Sequence, residues 1–206
     1  MELFAMIFGA LVSVMNPLGT VPVFVGLTVH NTKRERKNSI FKASLNVLVI
    51  LLISFFSGSY ILSFFGVSLY ALKIAGGMII VLSGFSLLSG EFAKHKGMKR
   101  PKVKKDIKNR SDISLTPLAL PIIAGPGTIS LLITFNQEYT GKDNLLIVLS
   151  AIVSAPIVIF MVLRNSFLIE KVLGASGINA LSRIIGFIEI ALGVEFIMSV
   201  ITQLFL

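Results

Sequence analysis

Apolar residues run along this chain in long, nearly uncharged blocks, and polar residues collect in the short stretches between them. Neither the two-residue alternation of a half-buried strand nor the narrow stripe of a water-facing helix organises these blocks; they are apolar all round. Six reach the roughly 20 residues a helix needs to cross the hydrocarbon core of a bilayer. They cover residues 3–29, 41–65, 68–89, 115–136, 144–164 and 180–204. The pattern predicts an all-α integral membrane protein with six transmembrane helices.

Two of the blocks are interrupted. The first reads SVMNPLGTVPVF over 13–24, with Asn16-Pro17-Leu18-Gly19 and Pro22 near the middle of the span. The fourth reads LTPLALPIIAGPGTISLLITF, with Pro117 and Pro121 early and Gly125-Pro126-Gly127-Thr128 near the middle. Proline removes a backbone donor and frees a carbonyl about one turn earlier, and glycine lets the chain leave helical dihedrals. Unpaired backbone groups are costly in hydrocarbon, so helices 1 and 4 are predicted to be broken, with gaps that face protein, water or a ligand.

The interruptions recur at a fixed distance. Setting Pro17 on Pro126 aligns NPLGT with GPGT, one residue shorter. ALKIAGGMIIVLSGFSLL (71–88) and ALSRIIGFIEIALGVEFI (180–197) both begin Ala-Leu and place a basic residue and a glycine three apart, Lys73/Gly76 and Arg183/Gly186. The first landmark has an offset of 109 residues and the second 110. This predicts a duplicated three-span unit within a single membrane domain, 1–206: residues 1–90, a basic linker at 91–114, and residues 115–206. An odd number of spans inverts the second copy, giving a 3+3 inverted-topology repeat about a pseudo-twofold axis in the membrane plane.

Charge sets the direction. Of 19 Lys and Arg residues, 17 follow blocks 1, 3 and 5, and only Lys73 and Lys142 fall on the other side. By the positive-inside rule those three loops are cytoplasmic and both termini are not, as in a multi-pass protein of the inner (plasma) membrane. The net charge of +9 therefore reports topology. The basic linker lacks interleaved aromatics and reads as topogenic or lipid-facing, not as a nucleic-acid site. A chain that is 54% hydrophobic and 14% charged agrees. MELFAMIF lacks the basic n-region of a signal peptide and opens a run too long for its core, so a permanent first span is expected. Cysteine is absent, which excludes disulfides and thiolate metal sites. His30 and His95 are isolated and form no metal cluster. Ser13 and Ser130 have no paired base within their spans, so neither catalytic residues nor a cofactor is expected.

Two breaks entering from opposite faces would gather four half-helix ends at mid-depth. N-terminal ends favour a carboxylate and C-terminal ends a cation, so a zwitterion fits. The candidate substrate-binding residues are Asn16, Pro17, Gly19 and Thr20 from the first break, and Gly125, Pro126, Gly127, Thr128 and Ser130 from the second. Glu195 in the sixth span is the candidate coupling residue. Glu189 is expected to be neutral or hydrogen-bonded in a helix interface. At about 100° per residue, Arg183, Glu189 and Glu195 point to three different faces. Lys73 and Arg183, at span ends, are expected to snorkel to the interface. Asn46, Ser54, Ser57 and Ser59 are expected to bond between helices, and Gly76, Gly77, Gly84, Gly186 and Gly193 to let helices approach closely.

With these motifs in place, the sequence resembles the MarC/SnatA family of bacterial and archaeal inner-membrane proteins. The likeness rests on MNPLGTVPVF, LKIAGGMI, PLALPIIAGPGTIS and GINALSRIIGFIEIALGVEFI, and it covers nearly the whole chain. The Lys-rich middle loop departs from it, as does Glu189, where an apolar residue is expected. Some relatives are regarded as transporters of small neutral amino acids such as alanine and glycine, and the resemblance implies no catalytic machinery. The expectation is a secondary transporter of small neutral solutes working by alternating access. Its partners would be the solute, membrane lipids and H+ or Na+ as coupling ion, with the oligomeric state, a homo-oligomer included, left open. Two other readings compete: a non-transporting scaffold or accessory subunit docking a partner through the basic loop, and a channel or drug-efflux pathway.

Overall fold

The computed structural model describes residues 2–29, 31–90, 123–139 and 141–205, and these contain helices and short turns with no strand among them. The helices are α1 (Glu2–Met15), α2 (Pro17–Thr28), α3 (Lys33–Phe65), α4 (Leu69–Leu88), α5 (Pro126–Glu138), α6 (Lys142–Arg164) and α7 (Ser166–Phe205). In a bilayer a helix satisfies its own backbone, which is why apolar blocks of this length take no other form. Five spans among the described residues are long and apolar enough to cross a membrane: α1 with α2, α3, α4, α6 and α7. Of the fourth block, α5 is the second part. The linker at 91–114, Pro117, Pro121, His30 and His95 lie outside the described residues.

Two helices outrun their apolar blocks, each for a local reason. α3 begins at Lys33, not at 41, because Thr32 and Glu35 form a reciprocal capping box. The Thr32 N–H donates to Glu35 Oε2 at 2.7 Å, and the Glu35 N–H donates to Thr32 Oγ1 at 3.3 Å. The Thr32 N–H and, secondarily, its hydroxyl, which donates to the same Oε2 at 2.9 Å, hold the Glu35 carboxyl below its ordinary pKa. α7 begins at Ser166, well before 180, and bends at Gly174 (φ 61°, ψ 177°). The predicted sixth span is the long arm beyond that bend.

The most extensive packing is between α4 and α7, which run antiparallel. Gly77 and Gly84 are two turns apart and lie on one face, as do Gly186 and Gly193. A Cβ on Gly77 would stand 2.6 Å from the Gly193 carbonyl oxygen, and one on Gly84 2.5 Å from that of Gly186. The two backbones are in direct contact along this seam, as expected for these four glycines. Around it α1 packs on α6, α3 on α5 and α6, and α2 on α7. Leu11, Leu51, Phe55, Leu131 and Ile152 form part of the shared core. The periphery is as apolar as the interior: Phe41, Ile53, Phe64, Leu82, Leu146 and Ile157 are exposed, the surface that lipid requires.

Candidate functional site: two helix breaks

The first break is made by the local chemistry of Asn-Pro-x-Gly. A residue before proline is driven out of the α region, so α1 must end at or before Asn16. Asn16 takes φ 41°, ψ 68°, and is the only non-glycine with positive φ among the described residues. Asparagine is one of the few side chains that tolerates this conformation. Its N–H closes α1 on the carbonyls of Val12 and Ser13, both at 3.1 Å. Its Oδ1 opens α2 by accepting from the Gly19 N–H at 3.0 Å. Pro17, at the first helical position, has no N–H to leave unpaired. Gly19 is required because a Cβ there would stand 2.6 Å from Asn16 Nδ2. The Thr20 hydroxyl donates to the Pro17 carbonyl at 2.6 Å. Asn16 and Thr20 are fully buried, and Asn16 Nδ2 has no hydrogen-bond partner among the described residues.

The second break is built differently. Gly125, extended at φ −81° and ψ 177°, caps α5 without any side-chain hydrogen bond, and Pro126 again takes the first helical position. Gly127 fits under Ile80 of α4 and Val14 of α1, where an added Cβ would be 3.0 Å and 3.6 Å from their side chains. Since Val14 is two residues from Asn16, the two breaks lie side by side. Thr128 is buried and its hydroxyl has no partner among the described residues. Ser130 is also buried, but it donates across to the Leu72 carbonyl of α4 at 3.2 Å, filling the notch left by Gly76.

Lys73 and Glu195 depart from expectation, while Glu189 lies in a helix interface as expected. Lys73 does not extend freely into solvent; it is 4% exposed, ion-paired with Glu138 of α5 and hydrogen-bonded to Ser199 of α7 at 3.0 Å. Its stem does lean toward the start of α4, as helical side chains do, but a carboxylate meets it before water does. Glu195 lies on an exposed side of α7, whereas Glu189 is fully buried on the face that carries Gly186 and Gly193. Ser57 bonds back to Ile53 in its own helix and not to a neighbour. One structural contact was invisible in the sequence. Arg36 donates to the Thr28 and Val29 carbonyls at 3.0 and 3.1 Å, ending α2, and its guanidinium lies 4.0 Å from the centre of the Phe167 ring. Only its place in a basic cluster marked it. Among the described residues no group of His, Cys, Asp or Glu could hold a metal ion.

Residues 1–205 match the family described as MarC family integral membrane protein. The chain belongs to the MarC family. Similar MarC-family chains include a UPF0056 membrane protein of Buchnera aphidicola subsp. Schizaphis graminum, 37% identical over 96% of this chain and 91% of that one. UPF0056 membrane protein YhcE of Escherichia coli K12 is 36% identical over the same shares. UPF0056 inner membrane protein MarC of Escherichia coli SMS-3-5 is 34% identical over 94% of this chain and 91% of its own. No solved structure matches. With its apolar helices, this MarC-family chain is a multi-pass inner-membrane protein.

Proposed function

We propose that the protein is a secondary transporter of small, net-neutral solutes, amino acids of the alanine and glycine class foremost, working by alternating access. One observation carries the reading: two helix breaks from different spans lie side by side, and each holds a buried polar group that no described residue satisfies, Asn16 Nδ2 and Thr128 Oγ1. Leaving such a group unmet costs about 1–3 kcal/mol, a cost that a polar solute entering the gap would relieve. Neither break motif contains a charged residue, so the gap suits a solute without net charge. The end of α1 presents carbonyls and the start of α5 presents N–H groups, opposite poles for an ammonium and a carboxylate.

A 3+3 inverted repeat is part of this reading. Gly186 and Gly193 follow Gly77 and Gly84 by 109 residues, the spacing of Pro126 from Pro17. The contacts cross, Gly77 on Gly193 and Gly84 on Gly186, as a twofold axis between equivalent helices would require. The charge pattern supports placing both termini outside the cytoplasm.

The test is flux of labelled alanine and glycine in liposomes containing the purified protein. Transport should exceed that of empty liposomes, and Thr128→Val should lower it roughly tenfold, about the worth of one hydrogen bond. Equal retention with and without protein would remove this substrate class.

A further inference from the structure

α5 carries a second pattern beyond its break. Ser130, Thr134 and Glu138 recur every fourth residue and therefore share one stripe along the helix. Ser130 donates to the Leu72 carbonyl, and Glu138 pairs with Lys73, which Ser199 also holds. Thr134, between them, is fully buried, and its hydroxyl has no partner among the described residues. Small hydroxyls are common where membrane helices pack, but a buried one ordinarily finds a partner, and among the described residues Thr134 has none.

We infer that this stripe is the non-cytoplasmic half of the solute path, with the Lys73–Glu138 pair as its gate. The role as a solute path rests on the transport reading above; the water access it requires can be measured without it. From Ser130 to Glu138 is eight residues, about 12 Å of helix, somewhat under half of a hydrocarbon core roughly 30 Å thick. The stripe thus reaches from near mid-depth to one membrane face. The pair sits at the boundary, with the Lys73 side chain 5% exposed and that of Glu138 34%. An ion pair can part there with both charges taken up by water, and no apolar surface need open. The α4–α7 seam has backbone against backbone and offers no such freedom. α5, held to α4 by one hydroxyl and one ion pair along this stripe, can move against it.

The chain has no cysteine, so a single introduced thiol reports access without background. Thr134→Cys in the full-length protein in intact cells is treated with a membrane-impermeant maleimide. Val67→Cys, exposed in the α3–α4 turn at the same end of the bundle, calibrates full access. Labelling of Thr134→Cys should be slow with the pair intact. Adding Glu138→Gln should speed it roughly tenfold or more, because removing one partner of a buried pair exceeds the ~1.4 kcal/mol that a factor of ten represents. The reversed pair, Lys73→Glu with Glu138→Lys, should restore slow labelling. At matched protein levels, three results overturn the inference: fast labelling with the native pair, no change on breaking it, or no protection by the reversed pair. A protein that shows the labelling pattern but moves no alanine fails the transport reading alone. One that moves alanine with flat labelling fails this inference alone.

Discussion

α2 and α5 both begin at a proline after a mid-span break, yet they are held in opposite ways. α2 closes on itself. Asn16 caps Gly19, Thr20 and Thr28 donate to carbonyls of their own helix, and Arg36 covers the last carbonyls. α5 looks outward. Its cap gives no side-chain bond, Thr128 and Thr134 lack partners among the described residues, Ser130 reaches α4, and Glu138 reaches Lys73. The same kind of interruption thus yields one self-sufficient arm and one that depends on its neighbours. On the transport reading proposed above, a moving part belongs on the dependent arm, since its polar groups can exchange partners without dismantling the helix.

The largest expected effect tests the dependence of α5. Glu138→Gln strands a buried ammonium, whereas Lys73→Met leaves a carboxylate already one-third exposed. The first should lower stability by about 2–3 kcal/mol, less than the roughly 3–5 of a fully buried pair, and the second by less. Thermal unfolding of the purified protein in detergent reads both; equal losses would mean that burial of Lys73 is not what matters. Next comes the self-sufficiency of α2. Asn16→Ala removes a cap and leaves in left-handed backbone a side chain without asparagine's local hydrogen bond, costing about 1–2 kcal/mol, whereas Asn16→Gly adopts that backbone freely and should cost clearly less. The smallest effect lies at the head of α3. Glu35 has a depressed pKa in the folded state, so its contribution is full above the ordinary value of 4.5 and fades as pH falls through the lower folded value. Hydrogen exchange in the first turn of α3 should rise only in that acidic range, Thr32→Ala should weaken the pH dependence by removing the hydroxyl bond, and Glu35→Gln should abolish it.

Much of this was legible because membrane solvent simplifies the code. Apolar length marked the spans, and Asn16-Pro17 and Gly125-Pro126 marked the breaks, since their constraints act within three or four residues. What the sequence hid depends on distant partners. Lys73 looked like a span-end lysine until Glu138, 65 residues later, was seen beside it. Glu189 and Glu195 differ by six residues and by whether they face the α4 seam, which hydropathy does not register. Gly76 and Gly77 look equivalent, yet one receives Ser130 and the other the backbone of α7. α3 began early because a capping box, not hydrophobicity, set its limit, and α7 includes a short arm before the bend at Gly174 that hydropathy did not mark.

The glycine seam also constrains biogenesis. α4 emerges from the ribosome early, but its main partner, α7, follows it by about eighty residues. Until Ser166–Phe205 is inserted, the face bearing Gly77 and Gly84 has no helix of its own shape to meet. Assembly of this seam therefore waits for α7, and a nascent chain cut short before it carries an open groove along α4.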